Sequence, residues 1–596
     1  MAVDEEAYAT IVPITQPKRR WFTIEYVCYM SVLIGGGICF VYNGFKTSQR
    51  LAPELHNLPG WFFGRQIDLA DFQYGNTHKS IFAMGMLCMV YLLLKHGSIF
   101  LLRWMEAVLR QLLGLISKSN AIAPMKKNLG APMKKPSAFK ITDNLSMSVA
   151  ANLIFYCCWG LLAQYIFHNR LGIFWLNLIF ALNYVLAMLF RGSYMNPITT
   201  WLLQVVLVFF RDIWFTPWFF QIIFGENAFT SWILADNSEM YGFGEVINLL
   251  SLRMISFNMD YYYKCRGADI RNTKGRTAYF LRAETPLPWF CYSPLQYLAF
   301  VTYFPTYVAG PIMSYNAFVS QIHFPPPAEP SIHKMLYFFR FLFFFLFNEI
   351  MLQYIYFNAI YLQGHMDALA GWEVLLMITF LGTAKYMLYY VVWRMYRTVA
   401  LFDNMEVPEN MTRCIYNNHT FVSFWRSWHS SYNLWIVRNL YIPLGGRKNL
   451  AINVAIVFAY VGMWHSSSWP FLLWGILNCV FFVHEAVWIG ISSQEKYNWI
   501  WNAWWSRHLL ALCGTINLWF LLFANLPIII HGFLPTVKVF RLMLFSEVQQ
   551  DLYFPPIPMP GWLFTLLFSG WLMALVLFQL EYKNEEERYL GAKKKV

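Results

Sequence analysis

Long apolar stretches recur through this chain, and each is close to the length a helix needs to cross a bilayer. A span takes about 20 apolar residues at 1.5 Å rise to match a hydrocarbon core of about 30 Å. Such runs lie near 26–43, 80–102, 146–167, 172–190, 200–224, 294–313, 335–362, 370–393, 449–466, 470–492, 508–532 and 562–580. We expect ten to twelve spans from them, some re-entrant or interfacial. The runs are continuous rather than alternating, so helices and not barrel strands are expected. Composition agrees, with 58% hydrophobic and 13% charged residues and a mean hydropathy of +0.40. Soluble domains average roughly 45–50% apolar and about 25% charged, so a soluble multidomain protein or a disordered chain is excluded. The expected fold is all-α, a polytopic transmembrane helical bundle.

The net charge of +13 comes from 45 Lys and Arg against 32 Asp and Glu. The basic residues sit mainly between apolar runs, where they set topology and meet lipid head groups. We therefore expect no nucleic-acid partner. Residues 1–24 form a polar tail ending in Lys18, Arg19 and Arg20 before the first run. This reads as a cytosolic N-terminus and a retained first span rather than a cleaved leader. Domain organisation follows: a tail at 1–24, a multi-span body at 25–580, and a C-terminal tail at 581–596. That tail ends in Lys593-Lys594-Lys595-Val596, which resembles the dilysine retrieval signal of endoplasmic-reticulum membrane proteins. A basic flank after the last span is the simpler alternative.

Residues 103–117 read as an interfacial helix. A basic loop at 118–140 repeats Ala-Pro-Met-Lys-Lys at 123–127 and 131–135, and is expected to be cytosolic. A second basic stretch, Lys264 to Arg282, is either a face for a polyanionic substrate or plain topogenic charge. The Phe-rich run 338–347 either lines a passage for an acyl chain or faces lipid. Ten cysteines are scattered with no CxxC pair, so no metal site is expected. Asn410 and Asn418 open glycosylation tripeptides.

Ionisable groups inside apolar runs are costly and mark either ion pairs or function. Lys95, His96, Arg211, Asp212, Arg340, Glu349, Lys385, His465, His484 and Glu485 are of this kind. One region stands apart. Residues 421–447 are Trp-rich yet carry Arg426, His429, Asn433 and Arg438, and end in Pro443 and Gly445-Gly446. That polarity suits a segment buried in protein or lining a wet cavity. His465 follows at the end of the next apolar run. Two imidazoles on consecutive elements can converge, and one can take a proton from an alcohol attacking a thioester. Burial favours the neutral ring that accepts it. His429, Arg426 or a backbone N–H is the expected donor to the oxyanion. A polar residue satisfied at a helix end is the alternative for either histidine.

The segment Phe424-Trp425-Arg426-Ser427-Trp428-His429, running on to Tyr441-Ile442-Pro443-Leu444-Gly445-Gly446, resembles the signature of membrane-bound O-acyltransferases (MBOAT). Trp464-His465 resembles the family's second motif. Tyr303-Phe304-Pro305 through Ala309-Gly310-Pro311-Ile312, and Arg253 through Asp260, fit as well, so the motif core spans about 245–490. The resemblance implies a helical bundle around a central tunnel, His465 as catalytic base and His429 as second active-site residue. It implies acyl-CoA as cosubstrate and no cofactor requirement. Within the family the chain is most similar to the fungal glycerol-uptake-protein and hedgehog-acyltransferase branch. His429 favours the former, which implies reacylation of a lyso-glycosylphosphatidylinositol (lyso-GPI) anchor. A secreted-protein acceptor is the near alternative, and a polyol uptake transporter the alternative from another class. Many members carry Gly where this chain has Ser466, which either narrows the acceptor path or adds a hydrogen bond. Cys414 stands near a position that ligates haem iron in hedgehog-type relatives; a buried free thiol is the plainer expectation.

Overall fold

The computed structural model describes residues 23–116, 147–214, 216–236, 239–267, 277–327, 329–545 and 551–593. Residues 1–22 of the N-terminal tail, the repeat loop at 118–140, residues 268–276 of the second basic stretch and the last three residues therefore lie outside the described residues. The main helices are α1 (Ile24–Leu51), α2 (Phe72–Ile116), α3 (Met147–Phe167), α4 (Arg170–Phe190), α5 (Met195–Phe209) and α6 (Phe243–Cys265). They continue as α7 (Pro294–Val301), α8 (Tyr315–His323), α9 (Ser331–Met351), α10 (Gly371–Phe402), α11 (Phe421–Ser427) and α12 (Ser430–Ile436). The last four are α13 (Leu450–His465), α14 (Trp469–Ser492), α15 (Ser506–Ile529) and α16 (Gly561–Lys593). A two-stranded ribbon, Leu58–Pro59 with Gln66–Ile67, is the only sheet among the described residues.

Among the described residues, eight helices are long and apolar enough to cross a membrane: α1 to α4, α10 and α14 to α16. The remaining apolar runs are shorter or broken, and the breaks have local causes. The run at 200–224 splits into α5, a four-residue turn and Pro217–Phe224, where Thr216 caps the last piece by accepting the Phe219 N–H at 3.2 Å. The run at 294–313 stops at Val301, and Pro305 and Pro311 keep the chain from resuming before α8. The stretch 103–116 is no separate interfacial helix, because α2 continues unbroken to Ile116. The Phe-rich run on α9 divides between two faces, with Phe339 and Phe343 exposed and Phe341 and Phe344 packed against the core, and none of it lines the cavity described below.

Among the helices longer than 20 residues, one has no counterpart among the apolar runs. α6 is buried along most of its length although it carries Asn248, Arg253, Asn258 and Asp260. Its polar groups meet protein instead of lipid. Arg253 donates to the carbonyls of Phe300 and Val301 at 3.0 and 3.1 Å, satisfying the C-terminal turn of α7. Asn258 bridges Asn183 of α4 and Thr200 of α5 at 3.1 and 2.7 Å. Asp260 pairs with Arg438 at 2.6 Å, and Arg438 also reaches Glu284 at 2.6 Å. Satisfied in this way, a polar helix costs little at the centre of the bundle.

The ionisable groups inside the runs are mostly structural. Lys95 pairs with Asp403 at 2.8 Å, and Tyr91 and Tyr303 donate to the same carboxylate at 2.6 and 2.7 Å. Lys385 pairs with Asp71. Glu349 accepts from Tyr74 and lies 3.2 Å from His78. Glu485 accepts the Val422 N–H at 3.2 Å, and His484 accepts from Trp488 at 2.9 Å. α10, which carries Lys385, is buried at most of its 32 residues. Its start is fixed by Glu373, which accepts the Ala370 N–H at 2.9 Å and pairs with Arg50 of α1 at 2.7 Å.

Candidate active site

His465 is the last residue of α13, and its position is set by two contacts. The first is the crossing of α13 with α14. Gly462 and Gly475 bring the two backbones together, for a Cβ on Gly462 would sit 2.7 Å from the Phe471 carbonyl, and one on Gly475 2.7 Å from the Phe458 carbonyl. The second is a polar clamp from α6. Asn248 donates its amide to the Trp464 carbonyl at 2.7 Å and accepts from Arg211 at 2.9 Å, while its own carbonyl receives the Trp464 indole N–H at 2.8 Å. Arg211 donates to the His465 carbonyl at 3.2 Å. These bonds occupy the orphan carbonyls that end α13. The imidazole then stands among Trp464, Phe471 and Trp474, with ring centroids 4.7, 5.9 and 5.4 Å away.

His429 is held differently. It joins α11 to α12 with φ 48° and ψ 47°, the left-handed region that residues with a Cβ seldom occupy. Such a conformation costs on the order of 1 kcal/mol and persists only where its surroundings impose it. Here they do. Met411 and Trp428 form an isolated antiparallel bridge just before it. Just after it, the Ser430 N–H donates to the Asn410 carbonyl at 3.0 Å, the Ser431 N–H donates to the Asn410 side chain at 3.2 Å, and the Ile312 N–H donates to the Ser431 hydroxyl at 2.8 Å. The His429 ring packs edge-on against Trp393 of α10 at 4.3 Å. Its Nδ1 is buried with no hydrogen-bond partner among the described residues.

Both histidines line one cavity of about 1090 Å³. Trp464 lies between them, 6.4 Å from His429 and 4.7 Å from His465 by ring centroid. Asn433 and Trp425 share the wall, and the Trp425 indole N–H is buried without a partner among the described residues. The arrangement therefore offers an imidazole to take a proton and a second imidazole, an amide and an indole N–H to meet a developing negative charge. Sequence reasoning brought the two histidines to one place, and the structure agrees. It does not bring Arg426 there, since Arg426 is absent from the cavity wall. Asn433 stood in the polar segment without a role, and Trp425 belonged to the motif without one; only the fold gives them a place.

Of the two alternatives for Ser466, the structure shows the hydrogen bond: its hydroxyl turns to Ser468, at 3.1 Å from that hydroxyl and 3.3 Å from that N–H, within the turn that opens α14, and it does not line the cavity. Cys414 is exposed rather than buried. Among the described residues no group of three or more His, Cys, Asp or Glu is placed to hold a metal ion. Asn410 and Asn418 are buried, and the Asn418 amide donates to the Cys414 carbonyl at 2.9 Å, so neither tripeptide presents a free acceptor.

Residues 282–524 match the membrane-bound O-acyltransferase family profile, a range that holds both histidines. The chain is 27% identical to membrane-bound O-acyltransferase gup1 of Schizosaccharomyces pombe, over 97% of this chain and 92% of that one. It is 26% identical to membrane-bound O-acyltransferase GUP1 of Saccharomyces cerevisiae, over 96% and 94%. It is also 27% identical to the protein-cysteine N-palmitoyltransferase Rasp of Drosophila melanogaster, over 37% and 44%.

Proposed function

We propose, from the premise that this chain belongs to the membrane-bound O-acyltransferase family and is an acyltransferase, that it moves a fatty acyl chain from acyl-CoA to a hydroxyl of a lyso-GPI anchor. The observation that carries the reading is the convergence of His429 and His465 on one cavity within a membrane helical bundle. In this reading the acceptor O–H gives its proton to His465 as its oxygen attacks the thioester carbonyl carbon. His429, with Asn433 and Trp425 beside it, donates to the oxyanion of the tetrahedral intermediate. Collapse expels the CoA thiolate, and the His465 imidazolium returns the proton to it, so the enzyme ends as it began. The neutral ring of His465 is the form required at the start.

The lipid acceptor is supported by the near full-length similarity to the fungal O-acyltransferases. A polyol-transport reading gives the paired histidines no task. The Lys593-Lys594 end and the Lys18-Arg19-Arg20 flank support an endoplasmic-reticulum membrane protein with both termini cytosolic. The test is acyl transfer by purified enzyme in nanodiscs, with labelled acyl-CoA offered to lyso-GPI and, separately, to a peptide with an N-terminal cysteine. Label on lyso-GPI alone is the expected result. Label on the peptide alone overturns the acceptor and leaves the acyltransferase.

A further inference from the structure

From the histidines the cavity extends along one face of α10. Thr379, Gly382, Lys385, Tyr389 and Val392, three or four residues apart, line it together with Trp393. Trp393 is the residue against His429. Gly382 lies eleven positions before it on the same helix, which at 1.5 Å rise is about 16 Å from the level of His429.

Gly382 has no packing reason to be glycine. In a helix interior it costs about 1 kcal/mol relative to alanine. Some helical glycines here permit close approach: a Cβ on Gly44 would meet Phe380 at 2.5 Å, and one on Gly561 would strike the Met543 carbonyl. Gly35, Gly490 and Gly570 have open space because they are exposed on the outside of their helices. A Cβ on Gly382 also meets nothing within 4 Å among the described residues, yet Gly382 is half-buried on a helix most of whose residues are buried. The free space is the cavity itself. Its other walls at this end are largely apolar, with Leu522 and Ile529 from α15 and Phe568 and Leu572 from α16, and the polar Asn525 and Tyr416 among them are engaged by Trp474 and Thr383. Among the lining residues of α10 only Lys385 is charged, and it is neutralised by Asp71.

We infer that this limb receives the hydrocarbon chain of the acyl donor and that Gly382 sets the chain length admitted. The inference rests on the acyl-CoA reading above and names the determinant of its chain selectivity. The chain is bonded to the carbonyl that reacts at His465, so it must leave the histidines through an apolar passage. The side of α6 brings Arg211, Glu245 and Asn248 to the cavity wall. That side suits a hydroxylated acceptor. A side chain at position 382 projects into the limb without striking protein and shortens it.

The test is photolabelling of purified protein in nanodiscs with acyl-CoA probes that carry a diazirine at the chain terminus. No acceptor is needed. A palmitoyl-length probe is expected to label α15 or α16 around Leu522 and Phe568 in the wild type. In Gly382→Leu and Gly382→Phe this labelling falls about tenfold or more, the discrimination expected when a pocket excludes even one methylene. An octanoyl-length probe continues to label residues beside the histidines. Gly382→Ala, which fits the space and the helix, keeps labelling by the long probe and shows that loss of glycine alone is not the cause. Long-probe labelling that maps to α5 or α6, or that persists in Gly382→Phe, overturns the inference while the acyl-CoA reading stands. No labelling by either probe in any form, wild type included, removes the donor reading and this inference with it. Peptide mapping of the wild type alone decides where the chain lies, so a variant that fails to fold leaves the question answerable.

Discussion

Replacing Gly462 by alanine adds one methyl group at the crossing that places His465, and the structure sets what that methyl must do. The new Cβ would lie 2.7 Å from the Phe471 carbonyl oxygen, which is backbone and has no rotamer to yield. Ordinary contact begins at 3.4 Å, so α13 and α14 must part by about 0.7 Å. Overpacking of this kind costs typically about 1–3 kcal/mol, and alanine returns about 1 kcal/mol of helix propensity. The net loss of stability is therefore small, about 0–2 kcal/mol. The effect on rate is not small. Gly462 is three residues from His465 on the same helix, so much of the displacement reaches the imidazole. A misplacement of about 1 Å can cost about 100-fold in rate, and a shift of this size is expected to cost about 10- to 50-fold. The assay is acyl transfer by purified protein in nanodiscs, with thermal unfolding followed in parallel. Gly490→Ala is the control, because a Cβ there meets nothing within 4 Å on the exposed side of α14. A Gly462→Ala enzyme with wild-type turnover would refute the argument that this crossing positions the base.

Further expectations follow from the same contacts. Asn248→Leu removes the amide that caps Trp464 and holds Arg211, and is expected to lower kcat about tenfold or more while the KM for acyl-CoA stays within about twofold; Asn248→Gln should recover part of the rate, which a merely structural role would not predict. Arg438→Met strips the buried Asp260 carboxylate of its partner and is expected to destabilise the fold by about 3–5 kcal/mol, read as a large fall in the unfolding temperature in detergent. Asn410 is built into the turn that carries His429, so endoglycosidase treatment should leave gel mobility unchanged, and Asn410→Ala should lower activity without removing any glycan.

The apolar runs made the membrane-crossing helices legible because lipid imposes a composition that is read directly. α6 escaped that reading for the converse reason. Its Arg253, Asn258 and Asp260 are paid for by partners on other elements, and sequence does not show where those partners stand. The same blindness hid the breaks within the runs near 200–224 and 294–313, where prolines mark a stop but not the path of the chain beyond it. His429 and His465 were legible as polar residues in motifs at membrane depth. The left-handed turn at His429 was not, since it depends on bonds from Asn410 and Ile312 far along the chain. The choice at Ser466 stayed open and Cys414 was misjudged because a side chain's direction is fixed by its turn: Ser466 bends back to bond Ser468, and Cys414 stands exposed before α11.

The central claim is that His465 is the base, and single-turnover acyl transfer compares it most directly with its neighbours. Pre-bound labelled acyl-CoA is mixed with acceptor, using wild type, His465→Ala and His429→Ala of matched thermal stability. The account predicts that His465→Ala loses about 100-fold or more in the chemical step while donor binding persists, the range expected for removal of a positioned general base. It predicts a substantial but separate loss for His429→Ala. A His465→Ala enzyme that transfers label at the wild-type rate would contradict the account.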